Sequence, residues 1–138
     1  MADIEKDGNP SLASIAPPQA VALTGLVAGE DLGPGDACYI KDSDGKAWMA
    51  DASSEATGRV VGYPATAADE GEGVTLFHDV TFNYGAELTP GAPVYLSTTA
   101  GAIADAGADD GWGPIGYCVD STRIRLWETR ILPGDLGL

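Results

Sequence analysis

Few residues in this chain have the chemistry of a catalytic site. His78 is the single histidine, which excludes a metal site with several imidazole ligands. It would have to be the base of a Ser-His-Asp triad, but no Gly-x-Ser-x-Gly segment is present to expose a nucleophilic serine. Its neighbours Phe77 and Val80 are typical strand residues. We therefore expect His78 to be structural, the chain to have no catalytic residues, and no cofactor to be needed.

The two cysteines, Cys38 and Cys118, are too few for a disulfide framework or a zinc site. Neither has a cluster of basic residues nearby that would lower its pKa and activate the thiol. We expect buried, unreactive thiols in a protein made in a reducing cytoplasm. A Cys38–Cys118 bridge stays open as an alternative if the two segments meet.

Two acidic segments could contribute oxygen ligands to a cation. Asp42 and Asp44 precede Gly45 as in the opening of a calcium loop, but the further ligands of such a loop are missing. Asp109 and Asp110 are similarly short of ligands. We expect hydrated loop tips and no metal site, with a weak ion site assembled from several loops as the alternative.

One short segment is a candidate for binding a partner. Arg123, Arg125 and Trp127 alternate with Ile124 and Leu126, so in a strand they share the face opposite the aliphatic pair. Arginine and tryptophan are frequent anchors of protein interfaces, so this face could contact an acidic partner. Equally, the arginines could pair with carboxylates of their own chain while the tryptophan covers an end of the domain.

Composition excludes several classes of partner. The 138 residues include 7 Lys and Arg against 21 Asp and Glu, which gives a net charge of −14. Nucleic acid and anionic membranes attract clustered basic residues, so neither is an expected partner. There is no apolar run of membrane-spanning length, and the acidic N-terminus lacks the apolar region of a signal peptide. We expect a soluble protein.

An internal repeat is the strongest pattern in the sequence. With an offset of 56, the 17 residues from Gly29 to Gly45 share six identities with those that begin at Gly85. The aligned pairs include two Pro-Gly turns, two strand tyrosines and two hairpin glycines: Pro34-Gly35 with Pro90-Gly91, Tyr39 with Tyr95, and Gly45 with Gly101. A later Gly-Tyr pair, Gly62-Tyr63 and Gly116-Tyr117, is followed in each copy by a closing strand. Duplication explains this pattern.

The repeat predicts an all-β fold. Pro-Gly suits the centre of a type II turn, and glycine inside a strand often marks a bulge or tight corner. Each copy alone would expose its apolar face, so we expect two tandem copies of one turn-strand-hairpin unit to close on one another into a small β-barrel or a sandwich. The predicted domain covers residues 21–131, with repeats 21–77 and 78–131, and a tail at 132–138.

Residues 1–20 lack periodicity and end in a Pro-Pro pair, which favours extended backbone. We predict an extended N-terminal arm that lies outside the barrel and could be removed without unfolding it. Ile4, Leu12 and Ile15 are its candidate contacts with a partner. Packing against its own domain is the alternative.

The arrangement Gly-x-[Asp/Glu]-Leu-x-Pro-Gly-x-x-x-Tyr-[Ile/Leu], followed by Gly-Tyr and a closing strand, resembles the small capsid decoration (cement) proteins of tailed bacterial and archaeal viruses. The better match spans Gly85 to Tyr117, with Gly29 to Tyr63 a weaker copy. The resemblance implies a β-barrel or β-tulip-like domain, usually a homotrimer, bound to the major capsid protein on the outer face of the head. It also implies an arm that reaches a neighbouring subunit, and it brings no catalytic residues.

The resulting hypothesis is a virion structural protein, made in the host cytoplasm, that binds and stabilises the assembled viral head of a bacteriophage or archaeal virus. Two alternatives remain: a tail or baseplate component, and a cytoplasmic β-barrel that binds a divalent cation or another ligand.

Overall fold

The structure, a computed structural model, describes residues 2–13, 21–108 and 111–133, and within these ranges it contains β-strands but no α-helix. The all-β prediction is therefore confirmed. No helix in the described part of the chain is long and apolar enough to cross a membrane. The strands are β1 (Ser11–Leu12), β2 (Val21–Val27), β3 (Cys38–Ile40), β4 (Ala47–Met49), β5 (Tyr63–Pro64), β6 (Gly73–His78), β7 (Val80–Asn83), β8 (Pro93–Leu96), β9 (Ile103–Ala104), β10 (Gly116–Cys118) and β11 (Arg123–Leu126).

The strands form antiparallel sheets whose order repeats along the chain. We call β2–β6 the first half and β7–β11 the second half. In the second half the order is β7-β11-β10-β8-β9, within a six-stranded sheet that β1 extends beside β7. The first half has a sheet β2-β6-β5 and a hairpin β3-β4. None of these sheets of described residues closes on itself as a barrel.

In the first half, isolated bridges connect the β3–β4 hairpin to the other strands. The corresponding strands of the second half, β8 and β9, belong to one continuous sheet. Cys38 bridges Gly62, which joins β3 to the edge of β5. The corresponding pair in the second half, Val94 and Gly116, lies in the ladder between β8 and β10. Both halves therefore arrange their five strands in the same order, although the ladders of the first half are interrupted.

The Pro-Gly segments form the turns that the sequence predicts. The N–H of Asp36 donates to the carbonyl of Gly33, and the N–H of Ala92 donates to the carbonyl of Thr89. The glycines between them, Gly35 and Gly91, have φ of 78° and 81°, values that a type II turn requires at this position. Each turn directs the chain into the strand that starts its half's hairpin.

The described part of the N-terminal segment lies against the second half of the same chain. The N–H of Ile4 donates to the carbonyl of Ile103, and the N–H of Asp7 donates to the carbonyl of Tyr84. In the first half, the equivalent positions Ala28 and Ala47 bridge each other directly. The second half therefore has a gap between Tyr84 and Ile103, which the N-terminal segment fills. In the first half, Ala28 and Ala47 close the equivalent position without an added segment.

Two apolar clusters support this arrangement. A small one lies within the first half around Leu76, while the larger one combines residues of both halves. Tyr63 of the first half contacts Phe82 of the second edge to face, with ring centres 6.2 Å apart. The Tyr63 hydroxyl donates to the carbonyl of Trp127, and burial raises its pKa well above the usual value. The two halves therefore share the larger cluster.

Candidate interaction surface

Strand β11 presents the predicted basic and aromatic face to the outside of the six-stranded sheet. Ile124 and Leu126 are fully buried, whereas Arg123 and Arg125 between them are partly exposed. Tyr117 of β10 pairs with Arg125 across the strands and is 43% exposed. We call Tyr117, Arg123, Arg125 and Trp127 the outer face.

Arg123 has a partner within the chain. Its Nε donates to Asp120 Oδ2 at 2.7 Å, and both side chains are more than a third exposed. Asp120 also accepts hydrogen bonds from the backbone N–H groups of Thr122 and Arg123. The Thr122 N–H and the Arg123 guanidinium lower the pKa of Asp120 from 3.8 to about 2. This pair orders the β10–β11 turn.

We expect Asp120→Asn to lower stability in a pH-dependent way. Because folding lowers the pKa of Asp120, its contribution is fully present above the unfolded value of 3.8 and is lost as the pH falls through about 2. Melting temperatures of the two proteins should differ slightly at neutral pH and converge near pH 2. A difference that is unchanged at acid pH would contradict this assignment.

Trp127 is held by three neighbours at the edge of the outer face. Its indole N–H donates to the carbonyl of Pro114 at 3.1 Å. Its ring lies 5.8 Å from that of Tyr117, and the Arg130 guanidinium lies 4.8 Å above it. These contacts fix the orientation of a large aromatic surface, as is typical of interface anchors.

Arg125 differs from the other arginine of the face, since its side chain forms no ion pair or hydrogen bond with any residue in the described ranges. It lies between Thr81 of β7 and Tyr117 of β10 in the sheet. On a chain of net charge −14, a cation without an ion-pair partner, opposite Tyr117 in the sheet, offers a local contact for acidic groups of a partner.

A second cluster lies beside the outer face. His78 Nδ1 is 3.0 Å from Asp79 Oδ2 and 2.5 Å from Glu128 Oε2. Arg130 contacts the other oxygen of each carboxylate, at 3.0 Å from Asp79 Oδ1 and 3.2 Å from Glu128 Oε1. His78 is thus a strand residue at the end of β6, as predicted, but its imidazole also joins a charged network.

The sequence analysis missed this network because Glu128 and Arg130 lie about 50 residues after His78 and Asp79. The signal was present in the repeat: β7 pairs with β11, and Val80 lies opposite Leu126. The turn at Asp79 and the pairing of β7 with β11 together bring His78 next to Glu128.

The thiols are buried and free. Cys38 and Cys118 form no disulfide with each other. Burial is the main cause that raises the pKa of both thiols, and the Asp36 carboxylate adds to the increase at Cys38. A protonated thiol is a poor nucleophile, so these two residues fit the unreactive role expected of them.

The acidic segment at Asp42 and Asp44 forms a hairpin tip. Asp44 accepts hydrogen bonds from the Lys46 N–H and the Trp48 indole N–H, and the Lys46 bond is the main cause that lowers its pKa. Asp44 is therefore engaged within its own turn. Asp109 and Asp110 lie outside the described residues.

The predicted contacts of the N-terminal arm have different positions. Ile4 and Leu12 are half-buried and pack against the larger core of their own chain. Ile15 lies outside the described residues. The two described side chains therefore keep part of their apolar surface exposed beside the second half.

No protein-family model matches the chain, and comparisons with curated protein sequences and with solved structures found no similar protein.

Proposed function

We propose that this chain is a non-enzymatic structural protein of a virus particle, a decoration or cement protein that binds the outer surface of the assembled head and stabilises it. The observation that carries the proposal is the outer face of a strongly acidic protein, where the Arg125 side chain has no ion-pair partner among the described residues and lies opposite Tyr117 in the sheet. The resemblance of the repeated turn-and-strand motif to decoration proteins supports the same function.

For the fold, we infer two tandem copies of one turn-strand-hairpin unit, arranged as a small β-barrel or β-tulip-like domain. The shared strand order of the halves supports this inference, together with the equivalent pairs Cys38–Gly62 and Val94–Gly116. In the first half, the bridge between Ala28 and Ala47 connects the end of β2 to the start of β4.

The proposed mechanism is multivalent attachment. The partner is the major capsid protein, and a homotrimer presents three copies of the outer face to it at once. Each contact is modest, but linking three raises the effective concentration of the remaining ones. The N-terminal segment, with Ile4, Leu12 and Ile15, forms a further contact with a neighbouring subunit. The chain is made in the host cytoplasm and ends on the outer surface of the virion.

Charge reversal at Arg125 tests the proposal. We expect Arg125→Glu to weaken co-sedimentation with heads assembled without this chain by at least about tenfold, because a carboxylate then faces the acidic partner (about 1.4 kcal/mol per factor of ten). Lys46→Glu is the matched control, since it makes the same charge change at the exposed β3–β4 hairpin. It should bind as the unaltered chain does.

Equal binding of both variants, with both folded, would exclude the outer face as the docking surface.

The copy number separates the head from the alternative location in the tail or baseplate. Hundreds of copies per particle support the head, whereas a few to tens would place the chain in the tail and overturn the proposed location.

A further inference from the structure

The charged network at His78 joins three parts of the fold that are distant in sequence. His78 ends β6 and Asp79 is the single residue between the two halves, while Glu128 follows the last strand. Asp79 has a φ of 56°, an unusual value for a residue other than glycine, and this sharp turn brings its carboxylate beside the imidazole. The network therefore lies where the start and the end of the second half meet the first.

One possible ligand atom from each of these residues lies close to those of the other two. The imidazole nitrogen, one Asp79 oxygen and one Glu128 oxygen all lie within 4.8 Å of one another. Zn²⁺ binds imidazole nitrogen and carboxylate oxygen at about 2.0–2.2 Å, which separates neighbouring ligand atoms by roughly 3 to 3.5 Å. The His78 nitrogen lies 2.5 Å from the Glu128 oxygen and 3.0 Å from the Asp79 oxygen, so these atoms need to move only slightly apart to reach that spacing.

From this geometry we propose that His78, Asp79 and Glu128 form a binding site for a divalent transition-metal cation of the Zn²⁺ type. A nitrogen ligand favours such ions over Ca²⁺ and Mg²⁺, which take mainly oxygen ligands. The inference goes beyond the proposed function and does not depend on it.

The surroundings leave room for a fourth ligand. His78 and Glu128 line a surface cavity of about 280 Å³, together with Leu23, Arg59, Val60 and Thr129. Three protein ligands and one water molecule complete the tetrahedral coordination that is common for Zn²⁺. The three side chains are 15%, 32% and 33% exposed, so the ion has access from solvent while its ligands stay ordered.

Arg130 provides a second test, in which a substitution should raise the metal affinity. It pairs with the carboxylate oxygens that do not face His78, and its positive charge opposes the binding of a cation. Removal of this charge should therefore increase metal affinity, whereas removal of a ligand should decrease it. A network whose only role is structural has no reason to show these opposite effects on metal binding.

The experiment is calorimetric titration of the metal-free full chain with Zn²⁺, together with melting temperatures with and without the ion. We expect one ion per chain and a higher melting temperature, because a ligand that binds only the folded state stabilises it. Glu128→Gln should lower the affinity by at least about tenfold, because it removes a ligand, and Arg130→Gln should raise it several-fold, because it removes an opposing charge. Asp44→Asn, a carboxylate change at the distant hairpin tip, is the matched control and should leave the affinity unchanged.

Absence of stoichiometric Zn²⁺ binding would overturn the proposal, and so would equal affinities for Glu128→Gln and the unaltered chain. Stronger binding of Ca²⁺ than of Zn²⁺ would overturn the assigned class of ion. Melting curves of the metal-free variants establish that each is folded, and Arg130→Gln keeps the test decisive if Glu128→Gln does not fold.

Discussion

Deletion of residues 1–13 should lower the free energy of unfolding by about 2–4 kcal/mol, comparable to the loss of one well-packed core side chain. The segment supplies backbone hydrogen bonds to the carbonyls of Ile103 and Tyr84, and the side chains of Ile4 and Leu12 pack against the larger core. The entropy cost of ordering these residues offsets part of the gain, which keeps the expected net effect moderate.

Denaturant unfolding of the full and shortened chains measures this loss. Within the full chain, Ile4→Ser should be destabilising, whereas Glu5→Ser at the adjacent exposed position should have little effect. Coincident unfolding curves for the full and shortened chains would mean that the segment is the removable arm that the sequence predicts.

Gly116→Ala should destabilise the protein by about 3 kcal/mol, because a Cβ atom at this position would lie 2.1 Å from the carbonyl oxygen of Arg125. That oxygen belongs to the backbone of β11 and cannot rotate away. The strands β10 and β11 would have to separate, which breaks the ladder that positions the outer face.

Gly73→Ala is the matched control for this substitution. Gly73 also lies in a strand, but a Cβ there would meet nothing closer than 3.9 Å. Its free energy of unfolding should change by no more than about 0.5 kcal/mol, as for other surface substitutions. Comparable losses in the two variants would show that strand propensity, and not the close approach at Gly116, sets the cost.

The repeated elements could be predicted because local rules determine them. Pro34-Gly35 and Pro90-Gly91 form the expected turns, and the all-β class follows from such turns between short apolar runs. The glycine of each Gly-Tyr pair lies against a neighbouring strand: a Cβ at Gly62 would be 2.8 Å from that of Leu76. A glycine inside a strand pattern indicates such an approach.

The N-terminal segment illustrates what local rules cannot predict. The strand in its described part, β1, has two residues, too few to show a period, and Asp3 pairs with Ala104 as an isolated bridge. Its position follows from the gap in the second half, which becomes visible only when Tyr84 and Ile103 are compared with Ala28 and Ala47 in three dimensions. The sequence therefore indicates an extended segment without indicating where it lies.

The candidate sites also have features that local rules predict and features that they do not. Strand alternation was enough to place Arg123 and Arg125 on one face, because a two-residue period needs no knowledge of the partner strands. It could not distinguish the paired Arg123 from the unpaired Arg125, since the distinction depends on the position of Asp120 after a turn. The contact of His78 with Glu128 depends on the pairing of β7 with β11.

A cryo-EM reconstruction of heads incubated with the purified chain tests the central claim most directly. We expect regularly spaced density on the outer surface of the capsid lattice, with Tyr117 and Arg125 of each bound copy directed toward the major capsid protein. Bare heads at saturating protein, or copies bound through the opposite side of the domain, would contradict it.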